Sequence, residues 1–476
     1  METLTYIDLV LLVLFVVFTS SFIYTRKHNL KREGLLFLYR TSWGIKLINY
    51  LGNRYKKTLK FLSYISITIG YLLMAGILYL TYTIVKIYVF NPAVVRAIKI
   101  PPILPLVPYL PQVFKLDFLP PFYFTYWIFI LAIIAITHEM AHGIFAAYDK
   151  VKIKTTGFGF FPYFLPVFLA AFVELDEKKM AKKSNFKQMA ILSAGTFANV
   201  LTAVLFFGIL WIFFSLAFTP SGVVFDTYAT SAIVISGISS INGIQVGNLT
   251  YNGVIELSNE EGLNQIDVGN ISYLAPIQTL KNQEDNRGTL LVYNSAPAIK
   301  ENLSSIILEI NGVKTDSIES LTQELSKYLP GEEVIVKTRT ETGFEETLVV
   351  LEEHPERSGT AWLGIGFINQ DSGFMRKIIE KMSSFKKPGI YYEPKFDGVS
   401  IFIYHLLWWT ILISLSVALM NMLPVGIFDG GRFFYLTILS LTKSEKIAKH
   451  AFAISTYLFL FLLLLMMFFW AVSFAS

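Results

Sequence analysis

The chain reads Ile134-Ala135-Ile136-Thr137-His138-Glu139-Met140-Ala141-His142 in the middle of an apolar run, residues 122–146. Side chains four residues apart lie on one face of an α-helix, so the imidazoles of His138 and His142 can reach one metal ion. Glu139 lies beside them, in position to act on a water molecule at that ion. Ionisable groups at membrane depth are costly unless they are paired or used. The stretch therefore predicts a membrane-spanning helix that carries a metal site.

The composition is that of a membrane protein. Of the 476 residues, 54% are hydrophobic and 16% are charged, and the mean hydropathy is +0.53. A soluble chain of this length cannot hide so much apolar surface. The net charge is only +5, and the basic residues flank apolar runs, which indicates membrane orientation and excludes nucleic acid as a partner. With no cysteine in the chain, a metal must be bound by His, Asp, Glu or backbone oxygen.

Six segments are long and apolar enough to cross a hydrocarbon core of about 30 Å, which takes about 20 residues. They are residues 5–24, 62–90, 122–146, 188–217, 399–423 and about 450–473. The first has no basic leader and no small-residue cleavage site, so we interpret it as a retained helix rather than a signal peptide. The predicted fold class is a polytopic α-helical membrane protein.

Two loops rich in Lys and Arg, residues 26–60 and 148–187, are predicted to be cytoplasmic by the positive-inside rule. Counting helices from them places both termini outside, together with the polar region 220–375. Asn248, Asn270 and Asn302 begin Asn-x-Ser/Thr triplets, and all fall in that region. The basic stretch 376–395 opposes the rule. It is either an ordinary linker or a short surface helix with Ile378, Ile379, Met382 and Phe385 on its apolar face.

The apolar stretch 157–173 is interrupted by Gly157, Gly159, Pro162 and Pro166. It is short for a spanning helix, and both of its flanks are basic. We therefore predict a re-entrant or hairpin segment that returns to the side on which it began, since non-helical backbone at membrane depth must be covered by protein or line a cavity. An interfacial loop is the alternative.

Asp429 is the best candidate for a third metal ligand. It follows the fifth apolar segment, where Pro424 and Gly426 interrupt the helix. At a rise of 1.5 Å per residue, His138 lies roughly 15–18 Å from the cytoplasmic edge, the depth at which Asp429 would arrive. His405 lies 24 residues before Asp429, roughly 36 Å along a helix, and belongs near the outer face. Glu174, at the end of the interrupted stretch, is a second rival.

These motifs resemble those of the site-2 protease family of intramembrane metalloproteases. That family pairs a His-Glu-x-x-His helix with an Asn-x-x-Pro-x-x-x-Leu-Asp-Gly segment, which Asn421 to Gly430 match with Phe428 in place of Leu. The family also has a Gly-x-x-x-Asn motif. Residues 195–199 resemble it, with Thr196 where many members have Pro. The resemblance covers residues 122–217 and 399–473.

The resemblance implies a zinc peptidase acting on membrane-spanning proteins within the lipid bilayer. One Zn²⁺ would bind His138, His142 and Asp429 in the cytoplasmic half of the membrane. Glu139 would take a proton from the zinc-bound water and pass it to the leaving amine. Asn199 and Asn421 would orient the substrate or stabilise its oxyanion, although both also suit helix–helix hydrogen bonding. The hairpin's edge would pair with an unfolded substrate strand.

The polar region resembles an α/β PDZ-like domain of that family. The resemblance rests on Ser295 to Ala298, the run Ile307 to Val313, a helix from Ser317 to Tyr328, and strands at 333–339 and 346–351. Gly364 to Phe367 would be the carboxylate-binding loop of a permuted PDZ fold. A second piece, Ser239 to Gly243, echoes the Asn311-Gly312 turn and indicates either a second PDZ domain or only a turn.

The chain is predicted to divide into five regions. They are a two-helix N-terminal addition (1–120), the first part of the membrane core (121–219), the PDZ-like region (220–375), a juxtamembrane linker (376–398) and the second part of the core (399–476).

Two other functions use the same residues. A catalytically silent membrane scaffold or receptor would keep the fold, but it would not need Glu139. A metal transporter would need more acidic residues in its other helices than this chain has.

Overall fold

A computed structural model describes residues 2–33, 36–98, 100–116, 118–160, 169–247, 249–283, 288–340, 342–367 and 384–473. The chain divides into two compact units. The first joins Met1–Phe213 with Ile401–Ser476, and the second is Phe214–Ser400.

The helices follow the apolar pattern of the sequence. In chain order they are α1 Glu2–Thr25, α2 Ile45–Arg54, α3 Lys56–Phe90, α4 Pro92–Ile98, α5 Leu110–Val113, α6 Phe124–Tyr148, α7 Glu177–Ala181, α8 Asn185–Ala217, α9 Tyr251–Glu256, α10 Ile277–Lys281, α11 Pro297–Lys300, α12 Ile318–Leu325, α13 Asp397–Asn421, α14 Asp429–Thr442 and α15 Glu445–Val472. Among the described residues, six helices are long and apolar enough to cross a membrane: α1, α3, α6, α8, α13 and α15. The six predicted segments are therefore confirmed as helices.

One antiparallel sheet belongs to the first unit. Its strands, β1 Leu30–Glu33, β2 Leu36–Thr41, β3 Ile153–Phe160 and β4 Leu169–Leu175, lie in the order β1-β2-β3-β4. The interrupted stretch is thus a β-hairpin, although Pro162 and Pro166 lie outside the described residues. Its position in the membrane stays a prediction. The second strand joins the hairpin from the N-terminal loop, with Tyr39 opposite Phe158.

The short helix α2 packs closely against the C-terminal part of α6. A Cβ on Gly52 would lie 2.8 Å from the carbonyl oxygen of Ile144, and one on Gly143 would lie 3.0 Å from Ile48. Small residues at such positions let helix backbones approach, which favours association where lipid supplies no hydrophobic drive. Part of the N-terminal region 1–120 therefore lies directly on the helix that carries the His-Glu-x-x-His motif.

Helices α3, α8 and α14 meet at a common core. A Cβ on Gly70 of α3 would lie 3.2 Å from the Cβ of Ser193 and 3.3 Å from both Met422 and Phe433. The hydroxyls of Ser66 and Ser193 are 2.5 Å apart, which links α3 to α8 by a buried hydrogen bond. These contacts fix α8 and the start of α14 relative to each other.

The second unit is built from short strands. They are β5 Phe218–Val224, β6 Thr227–Tyr228, β7 Thr230–Val234, β8 Ser240–Ile241, β9 Ile244–Gln245, β10 Leu263–Val268, β11 Ile271–Pro276, β12 Thr289–Asn294, β13 Ile306–Ile310, β14 Val313–Lys314, β15 Glu333–Arg339, β16 Phe344–Val350, β17 Glu352–His354, β18 Arg357–Trp362, β19 Ile365–Gly366 and β20 Ile390–Pro394. Two larger sheets have the orders β7-β12-β11-β10-β8-β9 and β16-β15-β13-β5-β20, with β14 on β13.

The predicted helix and strands of the polar region correspond to α12, β15 and β16, and the run that begins at Ile307 includes most of β13. Within the predicted linker, β20 pairs with β5. Ile378, Ile379 and Met382 of the same linker lie outside the described residues. Asn248, the start of one Asn-x-Ser/Thr triplet, also lies outside them. The loop at 364–367 contains β19, which pairs with β6. A PDZ function for this unit stays a prediction.

The two larger sheets share one turn device. Asn242 and Gly243 have φ values of 50° and 79°, and Asn311 and Gly312 have 48° and 79°, as tight Asn-Gly hairpins require. Each asparagine Oδ1 accepts a backbone N–H from a neighbouring strand, that of Gln265 at 3.0 Å for Asn242 and that of Ile335 at 2.7 Å for Asn311. The similarity between the Asn242-Gly243 and Asn311-Gly312 pieces therefore reflects one type of hairpin turn that occurs in both sheets.

A buried carboxylate holds the first turn of α6. Asp8 of α1 accepts the backbone N–H of Phe124 at 2.7 Å and that of Thr125 at 2.9 Å. It also accepts the hydroxyls of Thr125 and Tyr109. The first amides of a helix have no partner within it, so α1 supplies the cap for α6.

We predict that Asp8→Ala lowers stability by about 1–3 kcal/mol for each amide of the α6 start left buried and unpaired. The measurement is the apparent Tm of the purified protein in detergent. Asp8→Asn keeps an oxygen acceptor and should lose less. Equal stability of Asp8→Ala and wild type would contradict this account of the cap.

Candidate metal centre

The two histidines of α6 face the same point. The apolar run makes this segment helical, and the four-residue spacing puts His138 and His142 on one face. Both residues are buried. Their Nε2 atoms lie 3.0 Å apart, so both rings point into one small space rather than away from each other.

Asp429 reaches the same space from the first turn of α14. Its Oδ2 lies 3.4 Å from Nε2 of His138 and 3.2 Å from Nε2 of His142. Among the described residues, these three form the group whose potential ligand atoms all lie within 4.8 Å of one another. The structure thus brings together the three residues that the sequence proposed as ligands.

A tight chain reversal delivers Asp429 to this position. Helix α13 ends at Asn421, and the chain folds back before α14 begins. A Cβ on Gly430 would lie 2.3 Å from the carbonyl carbon of Met422, and one on Gly431 would lie 2.3 Å from the carbonyl oxygen of Val425. No other residue type fits this approach, which explains the Asp-Gly-Gly sequence.

Arg432 ties the same end of α14 to neighbouring elements. Its Nη1 donates to Oε2 of Glu177 on α7 at 2.6 Å, and its Nη2 donates to Oε1 of Gln188 on α8 at 3.4 Å. The first turn of α14 is therefore also held by contacts with α7 and α8.

The donor spacing suits a tetrahedral zinc ion. Ligand atoms bonded at about 2.0–2.1 Å to one tetrahedral zinc stand about 3.3 Å from each other. The observed separations between the two imidazole nitrogens and the carboxylate oxygen are 3.0, 3.2 and 3.4 Å. Two histidines and one carboxylate also leave a fourth position open, as catalytic zinc sites require.

Hydrogen bonds at the far side of each ring fix its orientation. Nδ1 of His142 lies 2.7 Å from the carbonyl oxygen of Ile191, an acceptor, so this nitrogen carries the proton and leaves the Nε2 lone pair for a metal. Nδ1 of His138 lies 3.1 Å from the side-chain amide of Asn199.

The amide of Asn199 has one unsatisfied end. Its Oδ1 is buried without a hydrogen-bond partner among the described residues. Rotating this amide by 180° brings Oδ1 to His138, where it accepts the Nδ1 proton, and the choice between the two orientations rests on such partners. The rotated amide gives His138 the same tautomer as His142, with Nε2 free to bind a metal.

Gly195 of α8 forms a wall of the centre. A Cβ at this position would lie 2.4 Å from Nε2 of His142 and 2.6 Å from Nε2 of His138. Only glycine lets α8 come close enough for Asn199 and the Ile191 carbonyl to reach the rings.

Glu139 lies beside the centre without joining the three ligands. Its Oε2 accepts the backbone N–H of Val173 on β4 at 2.9 Å. The side chain is only partly buried. The candidate base is therefore oriented by the hairpin.

The two rival ligands are not part of the centre. Glu174 accepts a hydrogen bond from Thr155 at 2.9 Å and pairs with Arg40 at 3.4 Å and Lys154 at 3.5 Å. Burial opposes ionisation of Glu174, but these partners outweigh it and hold the pKa of the carboxyl below its usual value. His405 lies in α13, outside the His-His-Asp group.

Three features of the metal centre were not predicted from the sequence. They are the carbonyl of Ile191, the close approach at Gly195 and the packing of α2 on α6. One signal was present: Ile191, Gly195 and Asn199 are spaced four apart, so one face of α8 carries all three. Asn421 ends α13, and its side chain is partly exposed.

A comparison with protein families gives one match. The model of the family described as Peptidase family M50 matches residues 126–466. This range includes α6, α8, α13 and α14, and it leaves the N-terminal 125 residues outside. A search of curated proteins found no match.

We predict that Gly195→Ala weakens zinc binding by about 10- to 100-fold, the usual effect of disturbing the groups that orient metal ligands. The added methyl would displace α8 or rotate an imidazole. Zinc affinity would be measured on purified protein by competition with a chelator. Gly208→Ala is the matched control, because a Cβ at Gly208 meets nothing within 4 Å on the same helix. Equal affinities of the two variants would contradict the prediction.

Proposed function

Because this chain belongs to Peptidase family M50, a family of membrane zinc metalloproteases, we propose that it is an intramembrane zinc protease of the site-2 type. Its substrates would be membrane-spanning proteins, cut as part of regulated intramembrane proteolysis. The observation that carries the proposal is the convergence of His138, His142 and Asp429 within 4.8 Å of one another. The family membership agrees with the resemblance drawn from the motifs.

The residues around the centre have complementary roles in this proposal. A zinc ion held by the three ligands would lower the pKa of a water molecule and polarise the substrate carbonyl. Glu139 would accept the proton of the attacking water and then donate it to the leaving amine nitrogen. Ile191 and Asn199 would hold the two imidazoles in their binding orientation.

The two asparagines also have proposed substrate contacts. If Oδ1 of Asn199 accepts from His138, its amide nitrogen can still donate to a substrate carbonyl, so the two roles are compatible. Asn421 precedes the reversal that carries Asp429, and its partly exposed amide would contribute a second donor. Both contacts would be made to the oxyanion or to the neighbouring peptide groups.

The outer edge of β4 would bind the substrate backbone. In the sheet, β3 is paired on both sides, whereas β4 is the last strand of the order. The amide of Val173 points away from β3, because it donates to Glu139. The amide of Ala171, two residues earlier, points the same way. An extended substrate segment paired with this edge would lie next to the base.

The proposed location follows from charge and hydropathy. The chain is an integral membrane protein with six helices suited to crossing a bilayer. The basic loops would be cytoplasmic, so the centre would lie in the cytoplasmic half of the membrane. The second unit and both termini would then lie outside, where a PDZ-like domain would meet the substrate before cleavage.

We predict that Glu139→Gln keeps zinc but loses proteolysis by at least about 10²-fold, since general acid–base catalysis contributes about 10²- to 10⁴-fold. Candidate single-pass substrates would be co-expressed with each variant, and fragments mapped by mass spectrometry. Asp429→Ala should instead lose zinc, measured by elemental analysis of the purified protein.

The matched control is Glu445→Gln, which makes the same change at an exposed position at the start of α15. It should retain both zinc and cleavage. A Glu139→Gln protein that holds zinc and cuts as fast as wild type would exclude the mechanism in which Glu139 is the base. A wild type that binds zinc and cuts no substrate would favour a silent scaffold.

A further inference from the structure

A small cleft lies beside Glu139, on the side of α6 that faces the hairpin. Its volume is about 50 Å³. Its walls come from α6, β3, β4 and the segment that runs from the end of β2 to α2. The lining residues include Glu139 and Met140 of α6, Gly157 of β3, Ala171 of β4, and Thr41, Trp43 and Ile48 of the last segment. This last wall precedes residue 126, where the family match begins.

The walls of the cleft are anchored. Ile48 is 1% exposed, and the approach of Gly52 to the backbone of α6 fixes the helix that carries it. On the opposite wall, a Cβ on Gly157 would lie 2.0 Å from the carbonyl oxygen of Tyr39. The cleft therefore cannot widen without moving α2 or separating β2 from β3.

The cleft offers apolar surface to a ligand. The hydroxyl of Thr156 donates to the carbonyl oxygen of Trp43 at 2.6 Å, and that of Thr41 donates to the carbonyl oxygen of Thr156 at 3.3 Å. The Glu139 carboxylate already accepts from Val173. Most of the residues that line the cleft have apolar side chains, Ile48, Ile136 and Met140 among them. An apolar side chain that entered would contact them without losing hydrogen bonds to water.

The volume limits what can enter. A water-sized group needs roughly 10–15 Å³ of cavity volume. The volume of this cleft is about 50 Å³. The space therefore holds roughly three to five heavy atoms. Alanine and valine side chains fit, whereas a phenylalanine ring does not.

We propose that this cleft is a subsite that selects a small apolar side chain at a residue flanking the scissile bond, with Ile48 and Ala171 setting its size. The inference rests on the proposed function, because a substrate strand on the β4 edge would place one side chain beside Glu139. It assigns part of the specificity to the N-terminal segment of this chain.

The test uses the full-length protein and a substrate whose cleavage site has been mapped. The residue on each side of that site is changed to Ala, Val, Leu or Phe, and kcat/KM is measured for each. Wild type should prefer Ala over Phe by at least about tenfold at one of the two positions, a typical discrimination by a hydrophobic pocket. Ile48→Ala enlarges the cleft and should reduce this ratio, while Ala171→Val should make Val as poor as Phe.

Ile48→Ala should widen the range of accepted side chains and Ala171→Val should narrow it, a pair of results that a general loss of stability cannot give. Ile48→Val is a milder enlargement in case Ile48→Ala folds poorly, and it should shift the ratio in the same direction. Leu47→Ala is the control, because Leu47 is exposed on the same helix and does not line the cleft. An Ala-to-Phe ratio near one at both positions, or the same ratio in all variants, overturns the subsite.

Failure of the proposed function has a different signature. In that case wild type cuts none of the substrates. The Kd values of the Ala and Phe peptides, measured on the Glu139→Gln protein, then decide the subsite separately. Tighter binding of the Ala peptide supports it, and equal Kd values overturn it.

Discussion

The structure depends on the convergence of three ionisable side chains inside a bundle of apolar helices. His138, His142 and Asp429 come from segments about 290 residues apart in the chain, and lipid gives helices no hydrophobic reason to associate. The reversal at Gly430 and Gly431 brings Asp429 to the two rings, and α8 packs against those rings at Gly195, where a Cβ would lie 2.4 Å from a ring nitrogen. The same close contact lets the Ile191 carbonyl and the Asn199 amide of α8 orient both rings. Helix packing and metal binding therefore both require glycine at this position.

Close packing at a glycine also occurs at three other places in the first unit. Gly52 lets α2 lie on α6, Gly70 lets α3 meet α8 and the start of α14, and Gly157 lets β2 lie beside β3. Each glycine removes the side chain that would keep two backbones apart. The result is a tightly packed scaffold. This suits a metal site, because its ligand atoms must stay within a few tenths of an ångström of the positions that bind the ion.

The N-terminal segment has a larger part in this arrangement than its place outside the family match suggests. Helix α2 packs on the helix of the candidate base, β2 extends the sheet of the hairpin, and Asp8 caps the first turn of α6. The end of β2 and the start of α2 supply one wall of the cleft beside Glu139. The residues that vary the substrate preference of such a centre therefore need not lie within its motifs.

The sequence by itself determined the local features. The six apolar segments became helices, the His-Glu-x-x-His spacing put two rings on one face, and the predicted strand at 333–339 is β15. Depth arithmetic even selected Asp429 over His405. Only the tertiary structure decided the pairing of β2 with β3, the Ile191 carbonyl behind His142 and the fit around Gly195. Periodicity and helix breaks depend on neighbouring residues, so they can be recognised in the sequence. These contacts join distant segments and leave no local pattern. Every residue has a backbone carbonyl, and a glycine gives no sign in the sequence of what packs against it.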